Sequence, residues 1–286
     1  MPKAAPRDRR VESLILAEID GLCATALREL APGGMPADSS PFETISYFAA
    51  IQSARLPSNR EFISSVYKKG AEEFMRLSTV SADRIKSLMD QYSRETGEPT
   101  NVSPESMVEA VRGNHLEVVV NELPFITHIF KTAEFLSEFL RTLTWEILVA
   151  PSERGFILCD DPVVIVPPKG VRHVGFGIPG SAKYFPLTRN LCLRFGDVGQ
   201  TFRFRNVDRE TVRLINQNIA ANSTRFIMGP VRAQLETVVL RSASVEIDAT
   251  PRYTFETTKQ DDNGSLQKMT QNPRRYFYSG NSSQAP

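Results

Sequence analysis

Apolar residues recur every three or four positions through the first half of the chain, which is the spacing of one face of an α-helix. Prolines and glycines, such as those at 32–34, separate these amphipathic segments. The pattern predicts helices over residues 9–30, 42–54, 60–77, 81–92, 104–113 and 115–142. Pro124 lies inside the last segment, so we expect a kink there.

Beyond Trp145 the helical spacing gives way to short apolar runs bounded by turn residues, which is typical of strands. These runs cover residues 145–149, 155–158, 163–166, 184–187 and 190–195. Phe202 and Phe204 then alternate with Arg203 and Arg205, which predicts a hairpin with the preceding strand around the turn at 196–199. A late helix over 209–221 is predicted to start at the N-cap residue Asp208.

The combined pattern predicts an α+β fold, with a helical N-terminal half packed on a small mixed or antiparallel sheet. We expect residues 1–255 to form a single domain, with helices at about 9–142 and the strand-rich part at about 144–250. Residues 256–286 are polar and have little periodicity. They predict a disordered tail, apart from a contact made by the aromatic segment 276–278.

The composition narrows the class of protein. Thirty-four basic residues stand against 33 acidic ones, so overall charge favours neither nucleic acid nor an anionic membrane as the main partner. Three scattered cysteines and three scattered histidines predict neither a disulfide framework nor a metal site. No segment has the length and apolarity of a membrane span, and we expect a cytoplasmic location. The sequence identifies no cofactor and no partner.

The strongest candidate for chemistry is the acidic turn Asp160-Asp161, which lies between two apolar runs and before Pro162. A carboxylate at the end of a strand is held rigidly, as a general base or a metal ligand must be. Aspartate followed by proline is equally typical of a purely structural turn, in which the carboxylate accepts backbone N–H groups. The sequence leaves both interpretations open.

Three further residues are candidates for the same site, Arg55 with a catalytic role and Asn216 and Lys183 with a ligand-binding role. Arg55 precedes a proline at a helix end, where its guanidinium either caps carbonyl groups or pairs with a carboxylate. Asn216 lies on the late helix with Asn218 and Asn222, and an asparagine facing inward needs a specific hydrogen bond. Solvent exposure is expected for at least two of these three. Lys183 precedes a Phe-Pro-Leu run and is expected to place a cation near the Asp160 turn.

Four of these features together resemble a bacterial family known as domain of unknown function 4238. Arg55-Leu56-Pro57 is similar to the family's Arg-Thr-Pro run, and residues 159–163 are similar to its Ser-Asp-Asn-Pro-Val turn. Phe185-Pro186-Leu187 and Asn216 match the elements that follow. The resemblance covers about residues 10–230. Family members usually open with a His-Tyr-Val-Pro segment, and this chain starts after the place where that segment would fall.

The resemblance supplies no reaction, but it implies that Arg55 and Asp160 act together. One hypothesis is a small-ligand or phosphate-substrate site in which Arg55 holds the anion and Asp160 acts as a base or metal ligand, with Asp161, Lys183 and Asn216 nearby. The alternative is a non-catalytic interaction protein, in bacterial defence or stress, in which Arg55 and Asp160 form a structural pair.

Overall fold

The computed structural model describes residues 15–30, 38–78, 81–113, 115, 118–120, 122–171, 174–199, 201–242, 253–261, 264–271, 276–278 and 281–284. Its helices are α1 Ala17–Leu30, α2 Ser40–Ala54, α3 Pro57–Ser78, α4 Ala82–Thr96, α5 Pro104–Arg112, α6 Leu123–Arg141, α7 Arg209–Asn222 and α8 Arg232–Ser242. Its strands are β1 Leu143–Val149, β2 Leu158–Cys159, β3 Val164–Val166, β4 Ala182–Pro186, β5 Leu191–Val198, β6 Phe202–Asn206, β7 Ile227–Met228, β8 Tyr253–Asp261, β9 Gly264–Gln271, β10 Tyr276–Tyr278 and β11 Asn281–Gln284.

Several helices begin where capping chemistry predicts. The side chains of Ser81, Ser103 and Asp208 each accept a hydrogen bond from the first turn of the helix that follows. The last of the early helices differs from its prediction, because α6 begins at Leu123 rather than near residue 115. Pro124 therefore lies in its first turn, where a missing N–H group costs nothing, and the expected kink inside the helix is wrong.

The chain divides into two compact units. One comprises Met1–Leu56, His128–Thr254 and Thr270–Pro286, and the other comprises Pro57–Thr127 and Phe255–Met269. The sequence-based division into a 1–255 domain and a disordered 256–286 tail stays a prediction. Within the second unit, the described parts of α3, α4 and α5 surround an apolar pocket of about 260 Å³, whose lining includes Met75, Met89 and Met107.

A five-stranded mixed sheet is the centre of the first unit, with strand order β3-β4-β5-β1-β6. β1 runs antiparallel to β5 and parallel to β6, and the remaining pairs are antiparallel. Strands β2 and β7 pair with each other in a separate short ladder. Because six helices of the described chain precede this sheet, the predicted α+β class is confirmed.

The hairpin predicted from the alternating Phe and Arg residues is wrong. β1 lies between the two strands and pairs with both, through Trp145↔Phe195 on one edge and Trp145↔Phe202 on the other. Alternation fixes which residues of a strand share a face, but it does not identify the neighbouring strand. A strand that lies 57 residues earlier in the chain can satisfy the same pattern, as β1 does for β6.

The two faces of the sheet pack against different helices. One face carries Trp145, Leu193 and Phe195 and packs with α1, α2 and α6 in a first core. The opposite face carries Leu148 and Cys192 and packs with α7 in a second core, to which α7 contributes Val212, Ile215 and Ile219. Successive side chains of a strand alternate between the two faces. A polar residue next to one of these core positions therefore lies on the opposite face of the sheet.

No helix in the described ranges is long and apolar enough to cross a membrane.

Candidate functional site

The Asp160 carboxylate connects the end of β2 to the loop that follows α7. Its Oδ1 accepts the N–H of Thr224 at 2.9 Å, and its Oδ2 accepts the Thr224 hydroxyl. Burial raises the pKa of Asp160, but the bonds from Thr224 and from the N–H of Arg225 outweigh it and bring the pKa below its usual value. Both carboxylate oxygens are therefore hydrogen-bonded to the loop that follows α7.

Asn216 fixes the same segment to α7 a few residues earlier. Its amide nitrogen donates to the Gly155 carbonyl at 2.9 Å, and its oxygen accepts the N–H of Ile157 at 3.1 Å. Gly155 also accepts a hydrogen bond from Gln234. The side chain of Asn216 is buried and its contacts are to main-chain atoms, so it acts as a clamp on an irregular stretch of backbone.

The expectation that at least two of the three asparagines on this helix face solvent is wrong. Asn216, Asn218 and Asn222 are all buried. Asparagine is unfavourable inside a helix, and hydrogen bonds to backbone groups compensate here: Asn216 and Asn218 bind backbone outside the helix, and Asn222 binds the Asn218 carbonyl within it. A cluster of such residues on one helix is therefore a sequence signal for a helix that holds irregular segments.

The next two predicted site residues, Asp161 and Arg55, differ in burial. Asp161 is buried, and its carbonyl accepts the thiol of Cys159 at 2.9 Å. Arg55 follows the last turn of α2, donates its N–H to Ile51, and has an exposed side chain. Among the ion pairs of the described residues there is none between Arg55 and Asp160.

Lys183 lies on β4 and faces the first core. It occupies one row of side chains across the sheet with Phe195 and Trp145, and only 1% of it is exposed. Its ammonium donates to the Gly196 carbonyl at 3.3 Å. Burial lowers the pKa of Lys183, and the nearby charges are those of Asp197 and Arg194 rather than of Asp160.

A charged group that the sequence analysis did not identify lies on the opposite face of the sheet. Glu146 of β1 is buried there and contacts three arginines, Arg194 of β5 and Arg203 and Arg205 of β6. We call these three residues the arginine cluster. The register explains the arrangement, since Glu146 is directly opposite Arg194 on one side and Arg203 on the other.

The contacts around Glu146 are unequal. Arg194 Nη1 and Arg203 Nε each lie 2.6 Å from a carboxylate oxygen, whereas Arg205 Nη2 lies at 3.5 Å. The exposed fractions of the side chains are 31% for Arg194, 66% for Arg203 and 45% for Arg205. Arg203 and Arg205 thus contact the buried carboxylate of Glu146 and also expose much of their side chains to solvent.

Electrostatics keep Glu146 ionised. Burial raises the pKa of Glu146, but hydrogen bonds from Arg203 and Arg194 and the charges of Arg194 and Arg205 outweigh it and lower the pKa below its usual value. One carboxylate against three guanidinium groups leaves an excess of two positive charges among these four side chains. The arrangement suits an anion that approaches from solvent.

Two features of the sequence indicate this cluster. Glu146 is the one charged residue in the otherwise apolar run of β1, and Arg194 interrupts the apolar run of β5 in the same way. The described residues contain no cluster of His, Cys, Asp or Glu that would hold a metal ion.

The chain matches no curated protein and no solved structure. A family described as Protein of unknown function (DUF4238) matches residues 2–231 of the 286-residue chain. This match covers the sheet, the Asp160 turn, the arginine cluster and α7. The resemblance found in the sequence is confirmed, and the chain belongs to the DUF4238 family.

Proposed function

We propose that the protein binds a small anion carrying phosphate groups at the arginine cluster. The observation that supports this is the convergence of three guanidinium groups on one buried carboxylate, with two positive charges in excess. Glu146 holds the arginines in place and thereby reduces the entropy lost when an anion binds. Arginine is suited to this task because its planar fork of N–H groups matches the oxygens of a phosphate.

The positions of the arginines define the shape of the ligand. Arg203 and Arg205 are two residues apart on β6, which separates their backbones by about 7 Å on the same face. Arg194 lies two strands away from β6, across β1. A single phosphate spans one pair of long arginine side chains, and a diphosphate or a nucleotide engages all three.

Arg205 is the member we expect to contribute most to the ligand. Its contact with Glu146 is the longest of the three, so fewer strong hydrogen bonds must be given up when it turns towards an anion. Arg203 makes two hydrogen bonds to one oxygen of Glu146 and is more firmly held.

We infer binding rather than hydrolysis. The sequence suggested Asp160 as a base and Arg55 as the anion-binding residue, but the Asp160 oxygens are already hydrogen-bonded to Thr224. We therefore give the anion-binding role to the arginine cluster. A non-catalytic protein in the cytoplasm of a bacterium is the setting we propose, and a role in defence or stress stays a prediction.

A thermal-shift titration tests the proposal. Pyrophosphate and a nucleoside triphosphate, each added at constant ionic strength, are expected to raise the melting temperature of the wild type because ligands that bind the folded state stabilise it. Arg205→Ala is expected to reduce this shift strongly.

Arg232→Ala is the matched control for that titration. Arg232 is an exposed arginine of α8 that pairs with Glu236, so its loss changes the net charge equally but leaves the cluster intact. Equal shifts in the wild type and in both variants would contradict the proposal, and so would an absence of any shift in the wild type.

A further inference from the structure

We propose that α7 carries a peptide-binding seat, which the chain's own segment Tyr276–Tyr278 occupies reversibly. The seat consists of Asn218 and the adjoining surface of the second core. When the segment leaves, the seat accepts the equivalent segment of a second copy of the chain. This inference is independent of the anion-binding proposal.

The amide group of Asn218 binds both the N–H and the C=O of Phe277 in the segment. Its amide nitrogen donates to the Phe277 carbonyl at 2.9 Å, and its oxygen accepts the Phe277 N–H at 3.0 Å. A carboxamide has the same donor and acceptor as a peptide unit, so Asn218 takes the place of a neighbouring strand. These hydrogen bonds are made to main-chain atoms and do not depend on the side chain of residue 277.

The two edges of β10 explain why one residue is clamped. The N–H and C=O groups of successive residues in a strand point to opposite edges. Tyr276 and Tyr278 are paired with β11 along one edge, and Phe277 turns its groups to the other edge, where Asn218 lies. The β10–β11 pair therefore docks as a unit against the helix.

The seat is organised by the helix itself. The amide nitrogen of Asn218 also donates to the Leu214 carbonyl at 3.0 Å, which fixes the rotamer of the side chain. Asn222 donates to the Asn218 carbonyl one turn later. A side chain held in this way presents its donor and acceptor to a peptide without first losing conformational freedom.

Specificity comes from Tyr276, which is buried in the second core with residues of α7. A large aromatic side chain that enters a core beside a backbone clamp is the usual anchor of a peptide-recognition site. The ligand class is thus an extended segment with an aromatic residue directly before the clamped one.

The covalent connection determines how the seat must be probed. Residues 243–275 link α8 to β10, and a tethered segment has an effective concentration on the order of millimolar. A free peptide at about 50 μM would then displace only about one-twentieth of the tethered segment. Binding in trans must therefore be measured after the tethered segment has been weakened.

The test uses the full-length chain with Tyr276→Ala and a fluorescein-labelled synthetic peptide of residues 273–284. Fluorescence anisotropy is expected to show saturable peptide binding to this variant and at least tenfold weaker binding to the wild type. The double variant Tyr276→Ala, Asn218→Ala is expected to bind at least tenfold more weakly than Tyr276→Ala. A folded Tyr276→Ala variant that does not bind the peptide would overturn the proposal.

Amide hydrogen exchange on the wild type tests the same proposal without relying on variants that fold. A reversible segment predicts that the Phe277 amide exchanges at least tenfold faster than the amide of Ile219 in the middle of α7. Equal protection of the two amides would mean that the segment opens only with global unfolding, which would also overturn the proposal.

Discussion

Replacing Glu146 by glutamine removes the charge that the three arginines share but keeps the shape of the side chain. Glu146 receives hydrogen bonds from Arg194 and Arg203, both at 2.6 Å. A charged hydrogen bond of this kind is worth about 1.5–3 kcal/mol when it is buried. Arg203 is 66% exposed, so its pair behaves more like a surface ion pair worth about 0–1 kcal/mol.

The expected loss follows from these two contributions. Arg194 is the less exposed partner, and the glutamine oxygen still accepts one hydrogen bond. We therefore expect Glu146→Gln to lower the free energy of unfolding by about 2 kcal/mol. Glu153→Gln is the matched control, because Glu153 also pairs with an arginine, Arg209, but is exposed, so this substitution is expected to change the stability far less than Glu146→Gln does.

The chain contains a convenient probe for this experiment. Trp145 is its single tryptophan and precedes Glu146 on β1, so tryptophan fluorescence during urea unfolding reports on the unit that contains the arginine cluster. A loss below about 0.5 kcal/mol for Glu146→Gln would refute the assigned role of Glu146.

The pH dependence provides a second check with a defined sign. The pKa of Glu146 in the folded protein lies below its usual value of 4.5, so the folded protein binds this proton less readily than the unfolded chain does. Its contribution to stability is complete well above pH 4.5 and is lost as the pH falls below that value. The stability difference between wild type and Glu146→Gln should therefore shrink on acidification, and a difference that grows would refute the reasoning.

Three further substitutions test the other buried polar groups by urea unfolding. Asn216→Ala leaves the Gly155 carbonyl and the Ile157 N–H without this partner and is expected to cost about 2–4 kcal/mol, whereas less than 1 kcal/mol would show that the clamp is dispensable. Asp160→Asn is expected to cost about 1 kcal/mol without changing pyrophosphate binding, and a selective loss of binding would instead favour a functional Asp160. Lys183→Met is expected to be within about 1 kcal/mol of the wild type, or more stable, at pH 7. Because burial lowers the pKa of Lys183 below 10.5, the stability of the wild type relative to that of Lys183→Met should rise as the pH approaches 10.5, so a difference that does not change at alkaline pH would contradict the assignment.

Local features of the fold are largely predictable from this sequence. Ser81, Ser103 and Asp208 mark helix starts because capping depends on a few adjacent residues. The change from helical to alternating spacing near Trp145 likewise marks the start of the sheet, since each period reflects the geometry of its own element.

Strand order was less predictable because it depends on contacts between distant parts of the chain. The Phe202–Asn206 strand alternates as a hairpin partner would, yet β1 separates it from β5. The arginine cluster depends on that unexpected order, because Glu146 meets Arg194 and Arg203 only when β1 is central. The alternation of Phe and Arg predicts β5 as the neighbour of β6, whereas β1 occupies that position.

The sequence predicts the acidic turn but leaves its chemistry open. An Asp-Asp-Pro turn between strands is visible in the sequence, but the partner of Asp160 is Thr224, which lies 64 residues later. The sequence likewise marks Asn216 as a candidate, because asparagine is unfavourable within a helix. Which backbone groups such a residue binds is decided by the packing of α7, and no local pattern encodes it.

Calorimetric titration with pyrophosphate at low and constant ionic strength tests the central claim most directly. The wild type and Arg232→Ala are expected to bind with the same dissociation constant, and Arg205→Ala is expected to bind at least tenfold more weakly, which corresponds to the loss of about one charged hydrogen bond. Equal affinity in all three proteins would contradict the assignment of an anion site to the arginine cluster.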